Sequence, residues 1–361
     1  MMSKIVSPRK DVLYLFTGTR VSYRDSATNL PDTQLYGLNY LPKYGLSVAT
    51  REIMDLPGGG LLSRLLYFRL RHMLLFIFTS NYRLIFGPSL VYQLPLKILF
   101  RSRAKFVLLN INLNSMLAKY RRNTILYRSL RALVLHFDGI VCLSNFQRRD
   151  LVTEHRIPES KLTFIPLGVD FAYYQGRESV DREDFILSVG RDKGRDYLTL
   201  IESARKLPEY RFIIVCSPRN LKLLGFRFLP PNIIVRLDID ATELLKLYQT
   251  AALAVLPTTP DGEGDGMDCS GQTVLLDLMA SGVPVIATYR AYLDDYADDN
   301  QEIISIPPGD PTIMAEMIKS LMTTPARRDE LANRARERVL AEFTTEKMAG
   351  NLATYFQHFL N

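Results

Sequence analysis

The stretch that most constrains this chain is 261–290, DGEGDGMDCSGQTVLLDLMASGVPVIATYR. An acidic, glycine-rich loop over 261–269 opens through Ser270-Gly271-Gln272-Thr273 into an apolar helical run at 274–280. Gly282 stands where a helix ends in a left-handed residue, and Pro284 follows it. Val285-Ile286-Ala287-Thr288 then reads as a short β-branched strand. A loop, helix, turn and strand in this order belong to an α/β domain. They also set small residues at a helix N-terminus, where the first N–H groups lack helical partners and the helix dipole adds positive charge. That is an anion site. Gly271 admits a ligand close to the backbone. Asp277, four residues after Thr273, is expected to look out from the same helix face. An anion-binding tip beside a carboxylate suits a nucleotide-sugar, which offers a diphosphate and a ribose diol. An ordinary αβ unit with a polar loop is the competing reading.

The same alternation runs along the rest of the chain. Residues 11–16 read as a buried strand followed by Gly18-Thr19-Arg20, a natural cleft wall because open α/β sheets bind ligands beyond strand carboxyl ends. Helices are expected at 34–44, over 117–137 as one long basic helix, and at 146–155 after a Ser144-Asn145 cap. Asn110, Asn112 and Asn114 recur at period two, which puts them on one side if the strand before them continues. The run 61–78, LLSRLLYFRLRHMLLFIF, reads either as a basic amphipathic helix on anionic lipid or as a sheet-covering helix with snorkelling arginines. The polar run 175–184 reads as an interdomain linker. After a strand at 185–189 comes Gly190-Arg191-Asp192-Lys193-Gly194-Arg195-Asp196, then a helix at 197–206. The loop lacks P-loop spacing, but it sets three cations, Arg191, Lys193 and Arg195, at a strand's carboxyl end.

Composition narrows the class. At 361 residues, 47% apolar and 23% charged, the chain suits two soluble domains of ordinary size. Three scattered cysteines give neither a disulfide framework nor a zinc spacing and fit a reducing compartment, and the four histidines form no metal motif. No signal peptide or transmembrane run is read. Residues 1–180 carry 25 Lys and Arg against 11 Asp and Glu, and the remainder is net acidic. A basic first half points to an anionic partner, such as a membrane surface or an acidic glycan. No nucleic-acid signature accompanies the charge.

The run SGQTVLLDLMASGVPVIAT resembles the donor-binding motif of family-4 glycosyltransferases, enzymes of the GT-B fold. Their motif carries two glutamates eight positions apart. Here Asp277 keeps the second carboxylate, Cys269 occupies the first position, and Asp268 and Asp265 are the nearest substitutes. The resemblance covers most of 138–350, with 161–170 similar to the family's I-P-N-G-V-D segment. It implies an α/β, GT-B architecture of two doubly wound Rossmann-like domains facing a central cleft. Their expected extents are 1–170 and 180–345, with 346–361 crossing back to the first. It implies that Arg191, with Arg195 or Lys193, clamps the donor diphosphate after Gly190. Ser270, Gly271, Gln272, Thr273, Asp277 and Asp268 are expected on the donor, and Gly18, Thr19 and Arg20 on the acceptor or phosphate side. The implied activity is retaining transfer of a sugar from a nucleoside diphosphate sugar, UDP- or GDP-linked, to an acceptor hydroxyl in glycan, polysaccharide or glycolipid assembly. No metal or cofactor is expected. Expected partners are a glycan or lipid-linked acceptor and a membrane met peripherally through the basic half, with no nucleic acid. The expected location is cytoplasmic, or peripheral on the inner face of a membrane. A degenerate transferase serving as a glycan-binding or partner subunit, and a nucleotide-sugar 2-epimerase, are the alternatives.

Overall fold

The computed structural model describes residues 10–18, 20, 30–53, 70–71, 76–77, 79–175, 182–223, 229–262 and 268–361. The chain forms two compact units, Met1–Ile165 with Glu346–Asn361, and Pro166–Thr345. Each described unit is built on a six-stranded, wholly parallel sheet.

In the first unit the strands are β1 (Lys10–Thr17), β2 (Val48–Ile53), β3 (Tyr82–Gly87), β4 (Lys105–Asn110), β5 (Gly139–Cys142) and β6 (Leu162–Phe164), in the order β2-β1-β3-β4-β5-β6. Parallel strands are covered on both faces, so they read as nearly unbroken apolar runs. Val12, Leu13 and Tyr14 accordingly have no exposed surface. Helices α1 (Leu94–Leu99), α2 (Leu113–Tyr120), α3 (Thr124–Val134) and α4 (Asn145–Thr153) follow. Leu94, Leu117, Val134 and Leu151 from these helices join Leu13, Ile85 and Phe106 from the sheet in one core. Helix α3 packs against both α1 and α2.

Three local expectations change here. The long helix over 117–137 is two helices, because the Asn123 side chain accepts from Leu126 N at 3.2 Å and starts α3 afresh. The helix at 34–44 is two short 3-10 turns, Asp32–Leu35 and Leu38–Tyr44, separated by the left-handed residues Tyr36 and Gly37. The asparagines do not lie along one strand. β4 ends at Asn110, whose Oδ1 accepts from Leu113 N at 2.8 Å while its Nδ2 donates to Asn114 Oδ1 at 2.8 Å, so the chain turns into α2. Ser144 caps α4 as expected, accepting from Gln147 N at 3.1 Å. Most of the 61–78 run and residues 176–181 of the polar run lie outside the described residues.

The second unit holds β7 (Glu183–Gly190), β8 (Arg211–Cys216), β9 (Ile233–Leu237), β10 (Ala251–Leu256), β11 (Val285–Thr288) and β12 (Ile304–Ile306), ordered β12-β11-β10-β7-β8-β9. Its helices are α5 (Phe171–Tyr174), α6 (Tyr197–Arg205), α7 (Pro218–Leu223), α8 (Ala241–Thr250), α9 (Gln272–Ala280), α10 (Pro311–Met322) and α11 (Pro325–Glu342). Asp196, Asp240 and Asp310 cap α6, α8 and α10 through their carboxylates. The two chain segments entering and leaving this unit are tied together: Val169 N donates to Phe343 O at 2.7 Å, and Thr345 N donates to Val169 O at 3.0 Å.

The last helix, α12 (Thr345–Leu360), belongs to the first unit from Glu346 on. Phe356 is fully buried, edge-on to Phe86 with ring centroids 5.1 Å apart. Among the described residues no helix is long and apolar enough to cross a membrane. Phe356→Ala removes a large buried ring and is expected to cost about 3–5 kcal/mol. A urea titration followed by circular dichroism checks this through the transition that reports the first unit.

Candidate functional site

The second sheet reverses direction at β7, with β8 and β9 on one side and β10 to β12 on the other. The loops leaving the carboxyl ends of β7 and β10 are therefore neighbours, where open α/β sheets bind ligands. The two loops are stitched by backbone bonds: Asp196 N donates to Pro257 O at 3.1 Å, and Thr259 N to Gly194 O at 2.9 Å.

Asp192 organises this corner. Its Oδ1 accepts from Gly194 N at 3.0 Å and from the Ser270 hydroxyl, and its Oδ2 lies 3.1 Å from Arg195 Nε. Asp192 has no place in the clamp expected from the sequence. Its signal was an Asx residue two positions before a glycine, the pattern of a side chain that closes a turn on its own backbone. Asn220 completes the frame, donating from Nδ2 to Asp192 O at 2.9 Å.

Arg195 is the cation this frame holds, with only 1% of its side chain exposed. The guanidinium runs over Gly190, where a Cβ would stand 1.9 Å from its Nε, so only glycine fits there. Its Nη1 reaches 3.5 Å from the place a Cβ on Gly271 would take, and Nη1 has no hydrogen-bond partner among the described residues. Gly271 is the N-cap of α9 at φ 93°, a left-handed conformation that favours glycine. A buried guanidinium thus sits against the positive end of a nine-residue helix with the Asp192 carboxylate as counter-charge. Cation and dipole repel one another, and both are relieved by an anion placed between them.

The other expected cations are exposed. Arg191 is 68% exposed on its side chain and pairs with Asp238, beyond the end of β9, two strands from β7 on the side away from β10. Lys193 is exposed. The structure therefore brings Arg195, rather than Arg191, to Gly271 and the start of α9.

Asp277 departs from its expected outward position. Helix α9 is buried nearly all round, and Asp277 with it, while Thr273 is half-buried. Spacing of four fixes a shared face but says nothing of what covers that face. Here α5 packs on α9, and the Tyr174 hydroxyl donates to the Asp277 carboxylate. Burial pushes the Asp277 pKa up to about 7, opposed by the Tyr174 bond and aided by nearby Asp170. Its Oδ1 has no partner among the described residues. Gln272 and Ser270 are buried, and Asp268 and Cys269 are half-buried. Asp261, at the head of the acidic loop, is held by Arg290 Nε at 2.9 Å and Ala291 N at 2.8 Å. Asp265 lies outside the described residues, and no metal-holding cluster of His, Cys, Asp or Glu occurs among those described. Gly18 and Arg20 belong to the first unit, after β1, where Arg20 N donates to Glu52; Thr19 lies outside the described residues.

Two outcomes follow from this geometry. Gly190→Ala is expected to expel the Arg195 side chain, lowering the melting temperature and exposing a guanidinium to dicarbonyl labelling. Asp277 is neutral in the folded state below about pH 7 but titrates near the ordinary carboxylate value once unfolded. Its stabilisation is therefore full below about pH 4 and lost as pH rises to about 7, by an amount on the order of 4 kcal/mol. Urea midpoints across this range check the slope, and Asp277→Asn is expected to flatten it.

Residues 195–354 match a family model described as glycosyl transferase-like. An MMP α-(1→4)-mannosyltransferase from Mycolicibacterium hassiacum is 20% identical over 227 residues, which are 60% of this chain and 53% of that protein. The chain thus spans about half the length of the curated relative it matches. Anabaena Alr3699/HepE, solved in complex with UDP-glucose, superposes with a TM-score of 0.71 at 14% identity, covering 96% of this chain and 99% of that one. Sucrose-phosphate synthase from Thermosynechococcus elongatus gives a TM-score of 0.71 at 16% identity, covering 97% and 99%. The chain has the GT-B fold of two Rossmann-like domains, and its second half from Arg195 onward is glycosyl transferase-like in sequence.

Proposed function

We propose that this protein is a glycosyltransferase that uses a nucleoside diphosphate sugar, with retention of configuration and kinship to family 4. The observation that carries the reading is the buried Arg195 guanidinium, whose Nη1 has no hydrogen-bond partner among the described residues, set beside Gly271 at the N-terminus of α9. Such a place suits a diphosphate. In transfer, the bond from the anomeric carbon to the diphosphate breaks with its electron pair leaving on oxygen. The acceptor hydroxyl oxygen bonds to that carbon, and its proton is released. Charge builds on the departing diphosphate, so fixed positive charge aimed there stabilises the transition state more than the ground state. Arg195 and the first amides of α9 supply it, and Arg191, in an exposed pair of small energetic worth, is free to exchange Asp238 for a phosphate oxygen. Asp277, kept protonated by burial, takes the ribose diol. Gly18, Thr19 and Arg20 serve the acceptor or phosphate side, and the acceptor is a glycan or lipid-linked molecule met at a membrane. The donor nucleotide is UDP or GDP.

The half-buried Cys269, at a position the resemblance gives to an acid, favours a second reading: a partner subunit that binds nucleotide or glycan without turnover. Donor hydrolysis separates the two. A thermal-shift titration with UDP and GDP is expected to stabilise the protein by about 2.7 kcal/mol at a hundredfold excess over Kd. Arg195→Ala, folded by circular dichroism, is expected to lose that shift and to lower turnover by about 100-fold or more. Arg191→Ala is expected to lose less. If neither nucleotide moves the melting point, or Arg195→Ala turns over normally, the reading is wrong.

A further inference from the structure

The turn that follows β11 brings two more buried polar side chains to the corner built on Arg195. Arg290 is 4% and Tyr292 2% exposed. Asp261 fastens this turn to the loop after β10, accepting from Arg290 Nε at 2.9 Å and from Ala291 N at 2.8 Å. Tyr292 is seated by Tyr296, whose ring stands edge-on with centroids 6.2 Å apart and whose hydroxyl accepts from Leu167 N at 2.8 Å. The Tyr292 ring is thus fixed by packing, and its hydroxyl meets the start of α9.

A Cβ on Gly271 would stand 2.7 Å from the Tyr292 hydroxyl and 3.5 Å from Arg195 Nη1, so the two groups converge on one point at the N-cap of α9. Arg195 Nη1 has no hydrogen-bond partner among the described residues. Among the same residues no hydrogen bond engages the Tyr292 hydroxyl, although the buried phenols of Tyr14, Tyr197 and Tyr296 each have one. A buried hydroxyl left without a partner costs free energy, and a ligand oxygen relieves that cost. Burial raises the Tyr292 pKa against the pull of Arg195 and Arg290, so the phenol carries its proton throughout the neutral range and can donate. Charge balance explains why a phenol suits this place. Arg195 is paired with Asp192 and Arg290 with Asp261. A further cation here would face two guanidiniums and the positive end of a helix, whereas a neutral donor adds a hydrogen bond without that repulsion.

We propose that the Tyr292 hydroxyl donates a hydrogen bond to the diphosphate that Arg195 and the start of α9 hold. This deepens the proposed function by naming a further donor at the same site, and rests on that reading for the identity of the anion. In transfer, the bond from the anomeric carbon breaks with its electron pair on the departing oxygen. The phenol keeps its proton, and its hydrogen bond to a phosphate oxygen becomes charge-assisted as negative charge grows there. The contact therefore favours the transition state over the ground state.

Tyr292→Phe tests it, because it removes the hydroxyl and keeps the ring on Tyr296. The melting temperature of the ligand-free full chain is expected not to fall. Calorimetry with pyrophosphate reads the donor directly, and affinity is expected to weaken about tenfold or more. With UDP- or GDP-sugars, kcat is expected to fall about 100-fold while KM changes little. Tyr296→Phe is the control: it loses the bond to Leu167, and is expected to lower the melting temperature while pyrophosphate binds as before. If the unaltered chain binds pyrophosphate, Tyr292→Phe weakens that binding and no sugar donor is turned over, the hydroxyl stands as an anion donor and the transfer reading alone fails. The proposal is overturned if Tyr292→Phe binds pyrophosphate as tightly as the unaltered chain, or if the unaltered chain binds none. It is equally overturned if Tyr292→Phe melts lower than the unaltered chain, which would give the hydroxyl a structural duty.

Discussion

A buried guanidinium pressed against the positive end of a helix governs the second unit. Nothing in ordinary packing favours that contact, since burial strips the cation of water and the dipole repels it. The fold sustains it through Asp192, whose carboxylate ties Arg195, Gly194 and Ser270 into one frame. Two glycines make the geometry sterically possible, Gly190 under the side chain and Gly271 at the helix start. The frame stands on backbone bonds between the loops after β7 and β10, so the positive corner is assembled before any ligand arrives. Preassembly of this kind lets a site act on developing charge without reorganising.

Helix α9 has two duties that conflict. It is a core element, packed against α5 and α11, and its first turn is the wall of the candidate anion site. Asp277 shows the consequence. A carboxylate one turn further along the helix is drawn into the packing, where Tyr174 offers one hydrogen bond and burial holds the proton on. A rigid helix places the amides of its start and this acid at a fixed separation, which a loop could not do. The same rigidity leaves the acid nowhere to turn for water.

The first unit segregates charge in the opposite sense. Asp138 is the acid that ends the long acid-free stretch after Asp55, and it takes two lysines, Lys97 and Lys105, while also accepting from Phe106 N at 2.9 Å. One carboxylate thus joins α1, β4 and the start of β5. Among the described residues of the stretch, Arg101, Arg103, Lys119, Arg122 and Arg128 are exposed. Arg121 finds a partner across the fold, in Glu154 at 3.0 Å.

The residues themselves determined the αβ alternation, the stop at Gly282, the caps at Ser144, and the anion-prone start of α9, because each is a matter of local hydrogen bonding and side-chain period. Gly282 does end its helix with φ 64°, and Val283 N closes back on Leu278 O at 3.0 Å. Tertiary structure alone decided which arginine reaches Gly271. Arg191 and Arg195 stand in one short loop, and each has enough rotatable bonds to point either way. Sheet order settled it by setting Asp238 on one side of β7 and α9 on the other. The burial of Asp277 was likewise hidden, because helical spacing records which residues share a face, and only the arrival of α5 says whether that face meets water.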